Sequence, residues 1–280
     1  MGWKVDAAVI GSIGCVRKNN EDNFYFLGDY MRQEEITEGA DIVHTTREPR
    51  ELYAILDGVG GGDAGEQAST LAAKLMAAWQ PKIFQNPKIE IENYAKSASK
   101  AVFDESIRLS AKNMGTTMAL LYIHPNGALA ANVGDSRVYR LRAGKLEIMT
   151  QDHSHVYNMY LAHKLTLEEA RKHRMSNVIT RFLGMEPDKM PEPFTYQNVF
   201  QVETGDRYML CSDGVSDMIS HEELQKLLVR PRSANQVAED IVRLSLELGG
   251  KDNTTCIIAD VHSESDLAED ENTKEMTHSR

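Results

Sequence analysis

Five short segments of this chain centre on aspartate beside glycine, asparagine or serine: residues 17–23 (RKNNEDN), 52–70 (LYAILDGVGGGDAGEQAST), 132–139 (NVGDSRVY), 210–217 (LCSDGVSD) and 249–255 (GGKDNTT). Asp-Gly, Asp-Asn and Glu-Asp pairs are ordinary turn chemistry, and any one of them alone reads as a turn. Several at the edges of apolar runs in one chain are harder to dismiss as turns. The chain's acidity reads either as solubility, which accounts for most of the excess, or as acids gathered for cations. The second segment is the most unusual, because its apolar run ends in Asp57 and five glycines occupy the next eight positions. Glycine there serves a tight turn, or backbone that approaches a ligand closely.

Gly60 to Gly65 also match GxGxxG between a strand and a helix, the pattern of a dinucleotide fold. Against that reading, no second strand ending in an acid follows about 20 residues on, and Asp57 would repel a pyrophosphate. No Gly-Lys-Ser/Thr follows, so a P-loop is excluded. A plain strand-to-helix turn remains the alternative for this segment taken by itself.

The elements that must position these acids are legible in outline. Residues 3–11, 23–29 and 51–56 read as strands, with a polar loop or hairpin over 31–50. Helices follow at 64–80 and 88–112, where Ile91, Ala95, Ala98, Val102 and Ile107 recur at helical spacing. Strand signals return in TTMALLYIH, GALAANVG, SRVYRLRAG and KLEIMT, with RAGK as a hairpin turn. Residues 159–174 and 221–248 read as helices, the latter split near Pro231, and RYMLCSD and TTCIIADV as late strands. Strand blocks joined by short turns favour antiparallel sheets with segregated helices, an α+β class.

Composition narrows the function further. The 280 residues are 41% hydrophobic and 26% charged, ordinary for a globular protein large enough to bury a substantial core. A net charge of −11 without clustered Lys and Arg argues against nucleic-acid binding. No apolar run approaches the roughly 18 residues a membrane helix needs, and a cytoplasmic protein without membrane attachment is expected. Cys15, Cys211 and Cys256 are far apart and form no CxxC pair, which fits reduced thiols in place of disulfides or zinc. The last 18 residues hold six acids and no aromatic residue, and read as a solvated tail.

GxxRxxNED, DGVGGxxAGE, GTT, GDSRVY, QDHS, NVITRxLG, CSDGVSD and KDNTT occur in one order across residues 8 to 261. In that order and spacing the chain resembles the type 2C metal-dependent Ser/Thr protein phosphatases, in their compact bacterial form. The resemblance implies two packed antiparallel β-sheets flanked by helix pairs, an αββα sandwich. It also implies one catalytic domain over 1–262, a flap at about 152–176, and the tail outside it. The cofactors implied are two Mn²⁺ or Mg²⁺ ions and a third, weaker one. By motif, Asp22, Asp57, Asp213 and Asp252, with the Gly58 carbonyl, resemble the metal ligands. Asp135 resembles a third-metal ligand shared with Asp213, Glu21 the outer acid that holds a metal-bound water, and Arg17 the phosphate-gripping arginine. Arg17, Asp57 and Asp213 are therefore the catalytic residues that the resemblance implies.

Elementary chemistry agrees with that transfer. Four carboxylates brought together repel and raise one another's pKa, and two divalent cations cancel the charge. The motifs offer oxygen donors with neither His nor Cys at ligand spacing, so Mg²⁺ or Mn²⁺ fits better than zinc. Two such ions roughly 3.5–4 Å apart lower the pKa of a bridging water for in-line attack on phosphorus. No Cys-x₅-Arg segment supplies a thiolate. Relatives often read DGMGGH, where the histidine is a proposed general acid; this chain has Gly62 there, with Asp63 next, and His153 and His155 as weaker candidates. The expected function is hydrolysis of phosphoserine and phosphothreonine in proteins, by a monomer opposing a Ser/Thr kinase. A stress-signalling phosphatase and a catalytically weak phosphoprotein-binding module are the alternatives.

Overall fold

The computed structural model describes residues 3–32, 40–46, 50–59, 64–189, 193–195 and 200–263. The chain opens with β1 (Trp3–Ser12), β2 (Asp22–Phe26), β3 (Ala40–Thr46) and β4 (Glu51–Val59). Two long helices follow, α1 (Gly65–Ile83) and α2 (Pro87–Leu109). A run of strands comes next: β5 (Gly115–Thr116), β6 (Met118–His124), β7 (Gly127–Val133), β8 (Arg137–Arg142) and β9 (Lys145–Ile148). Short helices α3 (His155–Leu161) and α4 (Leu167–Arg171) precede β10 (Phe194–Thr195) and β11 (Arg207–Cys211). The order ends with α5 (Asp213–Ser216), α6 (His221–Leu228), α7 (Ala234–Glu247) and β12 (Thr254–Ser263).

Two antiparallel sheets result, ordered β3-β1-β12-β11-β8-β9 and β10-β7-β6-β4-β2, with β5 on the end of β4. Side-chain alternation assigns each strand to two layers. Val5, Ala7 and Val9 of β1 face Phe24, Tyr53, Ile55 and Leu121 in the core between the sheets. The alternate residues Ala8 and Ile10 face outward, where Leu224, Val237 and Ile241 of α6 and α7 cover them. On the other sheet, Leu52, Ala54 and Leu56 meet Ala72, Met76, Ile91 and Tyr94 of α1 and α2. Each fully buried Leu, Ile or Phe contributes about 1.5–3 kcal/mol. A one-residue slip of β4 would turn Tyr53 and Ile55 out of the centre, so packing fixes the register that carries Asp57.

The αββα sandwich is the expected one, and the two-residue turn at Ala143 and Gly144, both at positive φ, closes the expected β8–β9 hairpin. Two elements differ from expectation. The span read as a polar loop or hairpin contains β3, an edge strand paired with β1, with Val43 exposed and Ile42 packed inward. The helix read over 159–174 is two helices, because Thr166 caps α4 with a reciprocal bond to Glu169. Helix α2 starts on Pro87 at its first position, where a missing N–H costs nothing. Among the described residues no helix is long and apolar enough to cross a membrane. The expected tail lies outside the described residues beyond Ser263, and the domain limits remain an expectation.

Candidate metal centre

The acids collect at one end of the sandwich because β2 and β4 place them there. Asp22 and Asp57 are direct cross-strand partners. Like charges facing each other across a ladder are unfavourable unless something neutralises them. Asp22 is fully buried; its Oδ2 accepts from Ser212 Oγ at 2.8 Å and Thr255 Oγ1 at 2.7 Å. Its Oδ1 is buried with no donor directed at it among the described residues. Asp57 is braced through its backbone: its N–H donates to Thr117 Oγ1 at 3.0 Å, and its carbonyl accepts from Thr117 N at 2.8 Å and Thr116 Oγ1 at 3.0 Å. Thr117 Oγ1 also bonds Ser136 Oγ at 2.7 Å, joining this brace to the turn that carries Asp135. The GTT and GDS motifs thus hold acids and contribute none of the oxygen ligands expected of them beyond Asp135.

Gly58 owes its identity to crowding. A Cβ there would lie 2.5 Å from Gly65 O and 2.7 Å from Glu21 O, so backbone packs on backbone beside Asp57. Gly65 in turn leaves room for the Glu21 carboxylate, 2.6 Å from where its Cβ would be. On the other sheet, β11 delivers Asp213 as the first residue of α5, with Gly214 against the Asn253 carbonyl, 2.0 Å from an added Cβ. Asp252 lies in the turn before β12 and its Oδ2 accepts from Arg17 Nη2 at 2.6 Å. Asn253 ties the loops together: its Oδ1 accepts from Glu21 N at 2.8 Å, and its Nδ2 donates to Ile13 O and Asn19 O, each at 2.9 Å.

The electrostatics of this end are those of crowded acids. Burial, then Asp213 and Asp22, push Asp57 well up from the usual carboxylate range. Burial and Asp135 do the same to Asp213. Asp22 is raised to about 6 by burial, against the two hydroxyl bonds that lower it, and Asp135 to about 7 by burial and Asp152. Burial and Glu66 raise Glu21. Among the described residues no three of these groups converge at ligating distance, and Asp252 is paired with Arg17. The donors nevertheless fit hard divalent cations: all are oxygens, one is an orphaned buried carboxylate oxygen, and every raised acid would be relieved by added positive charge.

All the residues named from sequence, Arg17, Glu21, Asp22, Asp57, Gly58, Asp135, Asp213 and Asp252, therefore fall at this end, on or beside the acid-bearing loops. Gly62 and Asp63 lie outside the described residues. Sequence reasoning passed over Asp217, which burial raises to about 6, and the pair Arg137–Asp152, bidentate at 2.6–3.1 Å behind Asp135. Asp217 stands four residues after Asp213, one helical turn on, and that spacing was the available signal.

His153 is a brace, not an acid catalyst. Its Nδ1 accepts from Gly134 N at 3.0 Å, its own N–H donates to Gly134 O at 2.9 Å, and burial lowers its pKa to about 4. Because the folded value lies below the unfolded 6.5, this neutral ring contributes stability above pH 6.5 that is lost as pH falls toward 4. Charging the buried ring in the fold at low pH costs up to about 3 kcal/mol relative to neutral pH. In His153→Asn, whose amide oxygen can still accept from Gly134, melting temperatures should fall less than wild type between pH 6.5 and 4. Parallel pH curves for the two proteins would contradict this. His155 begins α3 in an exposed position.

The family described as Protein phosphatase 2C matches residues 37–248. Protein phosphatase PhpP of Streptococcus pneumoniae is 28% identical over 264 residues, covering 93% of this chain and 99% of that protein. The serine/threonine phosphatase stp of Listeria monocytogenes is 28% identical over 253 residues, covering 88% of this chain and 92% of that one. Among solved structures, the Mycobacterium tuberculosis phosphatase PstP/Ppp superposes with a TM-score of 0.75 at 29% identity, covering 92% of this chain and 99% of that one. A catalytic-domain structure of PstP, crystallised with two manganese ions, gives 0.72 at 28% identity over 93% of this chain and 100% of that one.

Proposed function

The chain belongs to the protein phosphatase 2C family, and from that premise we propose that the acidic end of its sandwich is the catalytic centre of a metal-dependent phosphoserine/phosphothreonine protein phosphatase. The observation that carries the site assignment is Asp22 facing Asp57 across the β2–β4 ladder, with Asp22 Oδ1 buried and lacking a donor among the described residues. In this reading Asp22, Asp57, Asp213, Asp252 and the Gly58 carbonyl hold two Mn²⁺ or Mg²⁺ ions. Asp135 joins Asp213, and Asp217 beside them, at a weaker third position. Bound there, two such ions supply an activated water nucleophile and neutralise charge on the phosphoryl group.

The chain's own residues do the rest. Ser212 and Thr255 fix the Asp22 carboxylate, so only Oδ1 turns to a cation. Arg17, half-exposed and parked on Asp252, is placed to exchange that carboxylate for the substrate phosphate, which its planar fork can grip with two bonds. Glu21, raised by burial and by Glu66, can hold or release a proton beside the attacking water. Water adds to phosphorus in line, the serine or threonine P–O bond breaks, and the leaving oxygen takes up a proton. We place the protein in the cytoplasm as a monomer opposing a Ser/Thr kinase, away from nucleic acid and membrane.

Hydrolysis of p-nitrophenyl phosphate with Mn²⁺, with and without EDTA, tests the reading directly. Activity should vanish with chelator, return with added metal, and fall by about 10²-fold or more in Asp213→Asn. Equal inertness of wild type and variant in the presence of metal would leave a phosphoprotein-binding module instead.

A further inference from the structure

Beside the acids opens a cleft of about 510 Å³, lined by Gly214, Met218 and Leu248 and by Lys172, His173 and Lys251. Its inner end is Asp213, Asp217 and Asp252, so it is continuous with the centre described above. The local chain conformation builds it. Helix α7 ends at Glu247 with Leu248, 45% exposed, as its C-cap, and Gly249 and Gly250 then turn at positive φ to deliver Lys251 immediately before Asp252. A Cβ on Gly249 would sit 3.6 Å from Met218 Cε and 4.0 Å from Lys251 Cγ, so the thioether and the lysine stem both border this glycine. The opposite wall belongs to the segment following α4, and Arg171 anchors it by donating to the Asp217 carbonyl.

Both signs of charge line this cleft. Asp213 and Asp217 are acids raised by burial that cations would neutralise, whereas Lys172 and Lys251 are exposed, in a chain whose net charge is −11. Lys172 shares its charge with Glu168 at 2.8 Å, whereas Lys251 is exposed and has no ion-pair partner among the described residues. An exposed leucine and a thioether beside a solvated ammonium suit an apolar side chain followed or preceded by an acid. A substrate segment must leave the centre over some wall, and this wall offers both chemistries.

Resting on the phosphatase reading, we propose that the Met218–Leu248–Lys251 cleft is the subsite that selects substrates by sequence. It takes an apolar residue on Met218 and Leu248, and an acidic residue on Lys251, flanking the phosphorylated serine or threonine. The wild-type enzyme with Mn²⁺ should then hydrolyse a phosphothreonine peptide with Leu and Glu in its flanks about fivefold more efficiently than the same peptide with Lys for Glu. The difference should lie in KM. In Lys251→Glu that preference should collapse or invert. In Leu248→Ala the preference for Leu over Gly in the flank should shrink, while the Glu preference stays. Hydrolysis of p-nitrophenyl phosphate separates the two failures. If wild type is inert on that ester and on every peptide, the phosphatase reading is wrong. If it turns over the ester but treats all flanks alike, or if Lys251→Glu keeps the wild-type preference, the subsite is overturned.

Discussion

Asp57→Asn should abolish turnover and, at the same time, make the metal-free protein more stable. The carboxylate sits opposite Asp22 and is pushed up by burial and by Asp213, so at neutral pH the fold pays for its charge unless a cation is present. An asparagine keeps the shape, leaves the backbone bonds to Thr116 and Thr117 intact, and can donate to the orphaned Asp22 Oδ1. Removing the repulsion should gain about 1 kcal/mol, or roughly 2–4 °C in melting temperature under chelation. Losing one of the carboxylates that would hold the metals should cost about 10³-fold in kcat/KM. The pH dependence follows the same logic. Asp22 and Asp135, raised to about 6 and about 7, keep protons in the fold that the unfolded chain has lost above about pH 4. The metal-free stability from these groups therefore falls as pH rises from about 4 to 7, opposite in sign to the His153 contribution. Calorimetry under EDTA across that range should show a flatter decline for Asp57→Asn. A variant that keeps a tenth of wild-type activity with Mn²⁺, or that melts lower under chelation, would contradict the assignment.

Asn253→Asp should damage the protein more than Asn253→Ala, although it is the smaller change in shape. The amide faces two carbonyls, Ile13 O and Asn19 O, with its NH₂, and one N–H, Glu21 N, with its oxygen. An aspartate reverses both donors into acceptors and adds an unpaired buried charge next to Asp252, a change worth about 3–5 kcal/mol of stability. Alanine forfeits the bonds without the charge, at about 1–3 kcal/mol. Because this side chain adds three bonds to the Arg17–Asp252 ion pair that joins the arginine-bearing loop to the Asp252 turn, activity with saturating metal should fall in both variants, with KM for phosphoester rising as Arg17 loses its place. Equal melting temperatures for the two variants would show that the amide's donors carry no weight.

Much of this was legible in the sequence because the fold leaves periodic marks. Val5, Ala7 and Val9 alternate with Ala8 and Ile10, and the helical spacing of Ile91, Ala95 and Ala98 matches the face that α2 buries. The edge strand β3 escaped because an edge faces water on one flank and offers no clean alternation, as exposed Val43 beside inward Ile42 shows. The break between α3 and α4 was marked by Thr166 and Glu169, a capping pair overshadowed by apolar residues on either side. For the site, motif order located the acids but not their supports. Ser212, Thr117, Asn253 and the Arg137–Asp152 pair act through contacts between residues far apart in the chain, which spacing along it cannot reveal.

Strand β1 pairs along its whole length with β12, from Trp3 opposite Ser263 to Ser12 opposite Thr254. Strand β1 thus waits for β12, and this pairing is among the most non-local among the described residues. Thr255, which steadies Asp22, and Asp252 arrive with that final stretch. Strands β2 and β4 and helices α1 and α2 can assemble before that stretch is present, yet a version cut short before Asp252 should be silent toward phosphoproteins.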